Sequence, residues 1–220
     1  MSRQTWPVSR RYVLPPLALG APLVASGRRS GWVLVGVAAT VVAFFRDPSR
    51  RSAQDPSVVY AASDGYVTGV DQDVEDEALP GGRGTRITVF LSLTNVHVNR
   101  APLPGRLVTS QQLGDGFAPA LFKGAADNRR NRLVFEGERG PFVVVQVAGA
   151  LARTITNWVR PGDVVTSGQR LGVIHFGSRT DVLLPAGSAE VLVKKGTRVR
   201  GGVTELARLL PGAPAAPASS

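Results

Sequence analysis

The hydropathy pattern of the chain changes once, near residue 46. Before that point lie two apolar stretches, residues 12–25 and 31–45, separated by Arg28-Arg29. Pro15, Pro16 and Pro22 interrupt the first, and nothing interrupts the second. Each is shorter than the roughly 20 residues that a spanning helix normally needs. The pattern therefore predicts an apolar N-terminal hairpin that dips into one leaflet or spans a locally deformed bilayer. After Pro48, short apolar or alternating runs are separated by Gly, Pro and Asp. This predicts short strands and tight turns rather than helices. Residues 58–62, 66–70, 85–93 and 106–109 read as strands, and 133–136 with 142–147 as a hairpin about Gly137-Glu138-Arg139-Gly140. Residues 153–159 fit helix or strand equally. The acidic segment 71–84 reads as a solvated loop. A turn of the form G-x-x-V-x-x-G occurs twice, at 162–168 and 196–202, and predicts two similar turn units in a small curled β-domain. The expected fold is mainly β and antiparallel, with a hammerhead- or barrel-like C-terminal part. The expected organisation is a membrane-associating segment 1–50, a β-domain 51–210 and a disordered Pro/Ala/Ser tail 211–220.

Composition narrows the chemistry. There is no Cys, which removes disulfides, thiolate nucleophiles and Cys-ligated zinc. Two His, His97 and His175, cannot make a three-His zinc centre. The net charge is +10, but it is unevenly placed: residues 1–51 carry eight Arg against the single acid Asp47. Arginines that flank apolar segments suit an anionic lipid surface better than a nucleic-acid groove. No zinc finger, Walker loop or basic-aromatic platform is present, so nucleic acid is not an expected partner. The positive-inside tendency predicts a cytoplasmic-face location at the cell membrane.

Candidate reactive groups are few. Gly177-Ser178 lies between two strand-like runs, 171–174 and 182–184. Gly in such a place marks close backbone approach, and Ser178 is then a candidate nucleophile; taken alone, the pair reads first as a bulge or turn. His97 sits between two valines, with Asn95 and Asn99 two residues away on either side. In an extended segment those three side chains share a face, so His97 is a candidate base or a structural histidine. His175, an odd number of residues before Ser178, points to the opposite face of an extended strand. Asp64 is either a turn residue or an acid. The cluster Asn128-Arg129-Arg130-Asn131-Arg132 suits a phosphate, a carboxylate or water.

Taken in order, several pieces resemble the short bacterial and archaeal form of phosphatidylserine decarboxylase, a self-processing proenzyme. They are Phe44-Phe45-Arg46-Asp47-Pro48, Ala62-Ser63-Asp64-Gly65, Asn95-Val96-His97-Val98-Asn99-Arg100-Ala101-Pro102, Gln146-Val147-Ala148-Gly149 and Phe176-Gly177-Ser178-Arg179. Each is weak alone; the ordered set is specific and covers roughly residues 44 to 206. The chain departs from the family at Ser63, where Pro is usual, at Arg129, where an acid is more common, and at Leu151, where Ile or Val is commoner.

The resemblance implies a Ser-His-Asp arrangement of Ser178, His97 and Asp64, recognised by roles rather than chain order. His97 would take the Ser178 hydroxyl proton, Asp64 would orient the imidazole, and Ser178 Oγ would attack the Gly177 carbonyl. The ester so formed would lose the Gly177 carboxylate by elimination. The dehydroalanine left at 178 would hydrolyse to a covalent pyruvoyl group and ammonia. The products would be a β chain, 1–177, and an α chain, 178–220, held together as a heterodimer. The pyruvoyl group would form a Schiff base with the amine of phosphatidylserine and yield phosphatidylethanolamine and carbon dioxide. Two other readings stand beside this one. One is a pyruvoyl-dependent decarboxylase of a soluble amino-acid derivative, for which residues 12–45 have no evident use. The other is a membrane-tethered carrier-like β-domain presenting Lys194 or Lys195, which leaves Asp64, His97 and Ser178 unexplained.

Overall fold

The computed structural model describes residues 2–52, 54–114, 116, 128–149, 154–175 and 178–211. Gly177, Leu151 and most of the expected tail lie outside the described residues. Two compact units divide the chain, Met1–Ser49 and Arg50–Ser220.

The first unit is a pair of helices, α1 (Trp6–Ala25) and α2 (Ser30–Phe44). The expected hairpin is thus helical, and α1 runs through Pro15, Pro16 and Pro22 instead of breaking at them. Proline keeps helical φ and loses one N–H bond per residue, a cost that packing on a second helix offsets. The helices meet closely at two glycines. A Cβ on Gly31 would lie 2.6 Å from the Val24 nitrogen, and one on Gly20 would lie 2.9 Å from Leu34 Cβ. Tyr12 stacks on Phe45 at 5.8 Å between ring centroids. Among the described residues no helix is long and apolar enough to cross a membrane.

The second unit is built of strands. In chain order they are β1 (Val58–Tyr60), β2 (Gly65–Glu75), β3 (Arg83–Leu91), β4 (Val98–Arg100), β5 (Gly105–Leu113), β6 (Arg130–Gly137), β7 (Gly140–Ala148), β8 (Ile155–Asn157), β9 (Val164–Val165), β10 (Arg170–Ile174), β11 (Ser178–Pro185), β12 (Ala189–Val191), β13 (Arg198–Val199) and β14 (Glu205–Leu209). An eight-stranded sheet has the order β13-β2-β3-β11-β7-β6-β5-β9, and two three-stranded sheets have the orders β1-β14-β12 and β4-β10-β8. The pairs between named strands are antiparallel. This is the mainly β, antiparallel fold expected from the strand pattern.

One local expectation changes, and one open segment is decided. The acidic segment after Val70 is not wholly a loop, because β2 continues to Glu75. It does so through a bulge between Asp71 and Val74, where Asp73 adopts φ 63°. Its acids find partners: Arg86 binds Asp71 at 2.8 Å, and Arg83 pairs with Asp73. Segment 153–159, open between helix and strand, contains the strand β8.

The repeated turn has a structural meaning. In each copy the first and last glycines take positive φ: 96° and 77° at Gly162 and Gly168, and 92° and 71° at Gly196 and Gly202. The central Val165 and Val199 are buried in the two-residue strands β9 and β13, which close the two edges of the large sheet. The backbone bonds repeat as well. Gly162 N–H donates to Leu107 and Gly196 N–H to Val67, while Gly168 N–H donates to Ala101 and Gly202 N–H to Ala61. Positive φ explains why glycine recurs there.

The core lies on one face of the large sheet. Ile87 and Val89 of β3, Val182 and Leu184 of β11, Phe142 and Val144 of β7, and Leu133 and Phe135 of β6 all belong to it. Phe135 stacks on Phe142 at 4.8 Å between centroids.

Candidate active site

Ser178 opens β11, the strand between β3 and β7, and lies opposite Leu91 on one side and Ala148 on the other. Thr180, two residues along, lies opposite Val89 and Gln146. Ser178 and Thr180 therefore share the face that Val182 and Leu184 bury in the core. Both are buried. The Ser178 hydroxyl oxygen is enclosed and accepts or donates no hydrogen bond among the described residues.

Polar side chains gather at this end of the face. Asn99 Nδ2 lies 3.4 Å from Thr180 Oγ1, Gln146 Nε2 donates to Asn99 Oδ1 at 2.7 Å, and Asn131 Nδ2 donates to Gln146 Oε1 at 2.9 Å. The series continues from Ser110 Oγ to Asn131 Oδ1 at 3.3 Å. Asn99, Gln146 and Asn131 are fully buried. Unpaired, each amide group would cost about 1–3 kcal/mol; linked head to tail, they hold one another in fixed orientation. Sequence reasoning missed this network, although a glutamine inside the apolar run 142–147 was its visible signal.

His97 reaches the same region by two routes. A turn closed by Asn95 N–H on the Ser92 carbonyl follows Leu91, the partner of Ser178. The backbone carbonyl of His97 then accepts from Ile174 N–H at 3.2 Å, at the end of the strand that leads toward Ser178. The imidazole is buried. Its Nδ1 lies 3.0 Å from the Asn95 carbonyl oxygen. A carbonyl only accepts, so in the neutral ring Nδ1 carries the proton and Nε2 keeps a lone pair. Asn95 belongs to the turn, its Oδ1 accepting from Ser92 N–H at 2.9 Å, so the extended face shared by Asn95, His97 and Asn99 does not form.

Asp64 lies on the turn into β2. Its carboxylate is gripped by the Arg50 guanidinium, with Nη2 to Oδ2 at 2.8 Å and a second contact from Nη1 to Oδ1. Gly201 N–H also donates to Oδ1 at 2.9 Å. The preceding Ala62 carbonyl accepts from Arg100 N–H at 2.7 Å, which sets the Asp64 turn beside the strand that follows His97. The Asp64 carboxylate is thus engaged with Arg50 and Gly201, and His97 Nδ1 with the Asn95 carbonyl. Arg50 was not singled out from the sequence; one arginine of a basic pair in a polar linker carries no signal. His175 is buried, with Nε2 3.2 Å from Thr156 Oγ1 and its N–H donating to the Thr154 carbonyl at 3.0 Å.

The other face of β11 is differently equipped. Arg179 pairs with Asp181 at 3.2 Å, and both line an open groove of ≈ 890 Å³ with Arg86, Arg130 and Arg132. Burial pushes the Asp181 carboxyl above its ordinary range, against the opposing pull of Arg179. Among the described residues no cluster of three or more His, Asp or Glu could hold a metal ion.

The phosphatidylserine decarboxylase family model matches residues 37–207. A protein of Methanopyrus kandleri that carries the name of an archaetidylserine decarboxylase proenzyme is 41% identical over 90% of this chain and 96% of its own length. Phosphatidylserine decarboxylase proenzymes of Streptomyces griseus and Mycolicibacterium vanbaalenii are 38% and 40% identical, covering 90% and 89% of this chain and 90% and 87% of their own lengths. With its buried Ser178, its central β11 and a match across most of its length, the chain belongs to the phosphatidylserine decarboxylase family.

Proposed function

We propose that Ser178 is the residue this chain converts to its pyruvoyl group, with His97 as the base and the Gly177–Ser178 bond as the cut. Membership of the family makes the protein a pyruvoyl-dependent decarboxylase that turns phosphatidylserine into phosphatidylethanolamine and carbon dioxide. The observation that carries the residue assignment is the enclosed Ser178 hydroxyl, which makes no bond among the described residues. A buried hydroxyl without a partner is costly, and its conversion to a ketone flanked by an amide removes the donor. The site therefore fits the group.

His97 receives the Ser178 proton through Nε2, since Nδ1 is held on the Asn95 carbonyl. Attack of Ser178 Oγ on the Gly177 carbonyl forms an ester and breaks the peptide bond. Loss of the Ser178 α-proton then expels the Gly177 carboxylate. Asp64, bound by Arg50, is the acid of the expected triad, and its part is to favour the positive charge that His97 acquires. In turnover, the pyruvoyl group supplies a conjugated carbonyl that takes up the electron pair left when carbon dioxide departs. His97 returns a proton to the α-carbon.

The resulting α and β chains stay joined, because β11 on one side of the cut pairs with β3 and β7 on the other. The substrate is a lipid, and the helical unit exposes Trp6, Leu14, Leu19, Trp32 and Val33. Exposed apolar side chains of that kind suit contact with a bilayer, which favours a lipid over a soluble amino-acid derivative as substrate.

The intact mass of the purified protein tests the assignment. A fragment spanning 178–220 is expected, lighter than its serine-started form by one ammonia, about 17 Da. A single uncut chain with full activity would overturn it.

A further inference from the structure

We propose that Arg129 seats the phosphodiester of the substrate headgroup and so fixes the serine amine at residue 178. The proposal rests on the decarboxylase reading above and names how its substrate is held.

The register places Arg129 in line with the reacting residue. Arg130 lies opposite Val147, and the Arg129 carbonyl accepts from Ala148 N–H at 2.9 Å. Ala148 in turn lies opposite Ser178. Residues 129, 148 and 178 thus form one cross-strand row, and directly opposed residues point to the same face. The next row on that face is Asn131, Gln146 and Thr180, the buried amide network. Arg129 and Ser178 are separated by two strand spacings, about 10 Å. A headgroup whose phosphate meets an arginine side chain at one end of that span brings its amine to the other.

A pocket occupies the span's outer end. It measures ≈ 170 Å³ and is lined by Gln112, Arg129, Arg130, Asn131, Thr154 and Ile155. Two of its wall residues are bonded toward the Ser178 end of the face. Asn131 begins the bonds that end at Thr180, and the Thr154 carbonyl accepts from His175 N–H just before the cut. Arg129 is exposed to solvent here, and its guanidinium has no ion pair among the described residues.

The reaction decides which anion belongs there. The headgroup carries a carboxylate and a phosphodiester. The carboxylate loses its charge as carbon dioxide leaves, so an arginine on it would stabilise the ground state more than the transition state and slow the reaction. The phosphodiester keeps its charge throughout. A guanidinium, always charged and forked for phosphate oxygens, binds it equally in both states. Such uniform binding acts on KM and leaves kcat largely alone.

The test uses fully cleaved wild type, Arg129→Ala and Arg129→Lys. Carbon dioxide release is measured from a dispersed short-chain phosphatidylserine and from a serine O-alkyl ether of similar length without phosphate. Arg129→Ala is expected to raise KM for the phosphodiester about tenfold, the loss of one charge-assisted contact in a wet site. Arg129→Lys should recover part of that, and the ether should respond to neither. In parallel, glycerophosphoethanolamine binding is measured by calorimetry on the uncut Ser178→Ala chain, with and without Arg129→Ala; the second change should weaken it to a similar degree. An unchanged KM, an equal loss on the ether, or unchanged binding would overturn the proposal. Absence of carbon dioxide from both substrates with wild type would instead sink the decarboxylase reading, and the binding measurement would still decide the role of Arg129.

Discussion

The two ends of β11 do different work on one face. At the Pro185 end, Val182 and Leu184 meet Ile87, Val144 and Phe142, all apolar and all buried. At the other end, equally buried, Ser178 shares the face with Thr180, and Thr180 meets the linked amides of Asn99, Gln146 and Asn131. The apolar end gains free energy for every atom removed from water. The polar end gains little net, because its amides exchange bonds with water for bonds with each other. What it acquires is fixed orientation around the residue proposed to react. Depth of burial alone would rank the two ends alike; only their chemistry separates structure from function.

The sharpest break in that comparison is at Ser178. Ser178→Ala should leave the chain folded and wholly uncut, with no carbon dioxide release, since the alanine has no oxygen to attack Gly177. Gel mobility and far-UV circular dichroism check both halves of the statement. His97→Ala should slow self-cleavage by about 10²–10⁴-fold, the usual worth of a placed base. His175→Ala should still be cut, because that ring is engaged with Thr156. Cleavage lost only in the His175 variant would reverse the assignment of the base.

At the opposite end, Leu184→Ala should cost about 2–5 kcal/mol of stability, the range for a buried leucine left as a cavity. Leu184 is 1% exposed, so little relaxation is expected. Urea denaturation of the cleaved protein measures it. Cleavage itself should proceed at temperatures where the variant is folded. A large loss of cleavage with unchanged stability would mean that the two ends are not separable.

The sequence carried these two ends unequally. Alternation and turn residues made the strands and the 137–140 hairpin legible, because side-chain period and glycine placement are local. The repeated G-x-x-V-x-x-G was legible for the same reason: its glycines take positive φ wherever the chain puts them. Ser178 and His97 were legible as candidates from their local placement, and their roles only through the ordered motifs. The partners of the site were not legible. Arg50 meets Asp64, and Gln146 meets Asn99 and Asn131, across gaps in sequence that only the folded chain closes. The prolines of α1 misled in the other direction, since local propensity argued for interruption and helix packing overruled it.

A smaller effect sharpens the polar end. Gln146→Leu removes the central amide and leaves Asn99 Oδ1 and Asn131 Nδ2 without it. Stability should fall by about 1–3 kcal/mol, the cost of stranding buried polar groups. Gln146→Leu combined with Asn99→Leu and Asn131→Leu should recover part of that stability, yet cleave more slowly than wild type. If the triple variant cleaves at the wild-type rate, the network is only packing, and the contrast between the two ends loses its functional half.

The smallest effect concerns the outer face of the same strand. Burial raises the Asp181 carboxyl above its ordinary value, while Arg179, Thr88 and Arg86 pull it down. A carboxyl whose pKa is higher folded than unfolded binds more protons in the folded state between the two values. Stability then falls as pH rises from the unfolded carboxylate value through the folded one. Asp181→Asn cannot titrate, so that fall should be absent from its profile, and the difference between the proteins should grow toward neutral pH in favour of the variant. Part of the gain is offset by loss of the 3.2 Å contact to Arg179. Thermal denaturation from pH 4 upward reads the two curves. A variant that is less stable than wild type by a margin growing with pH would show that the Arg179 pair outweighs burial, and that Asp181 is ionised in the fold. Self-cleavage should be unaffected in either case, because Asp181 faces away from Ser178 across the sheet.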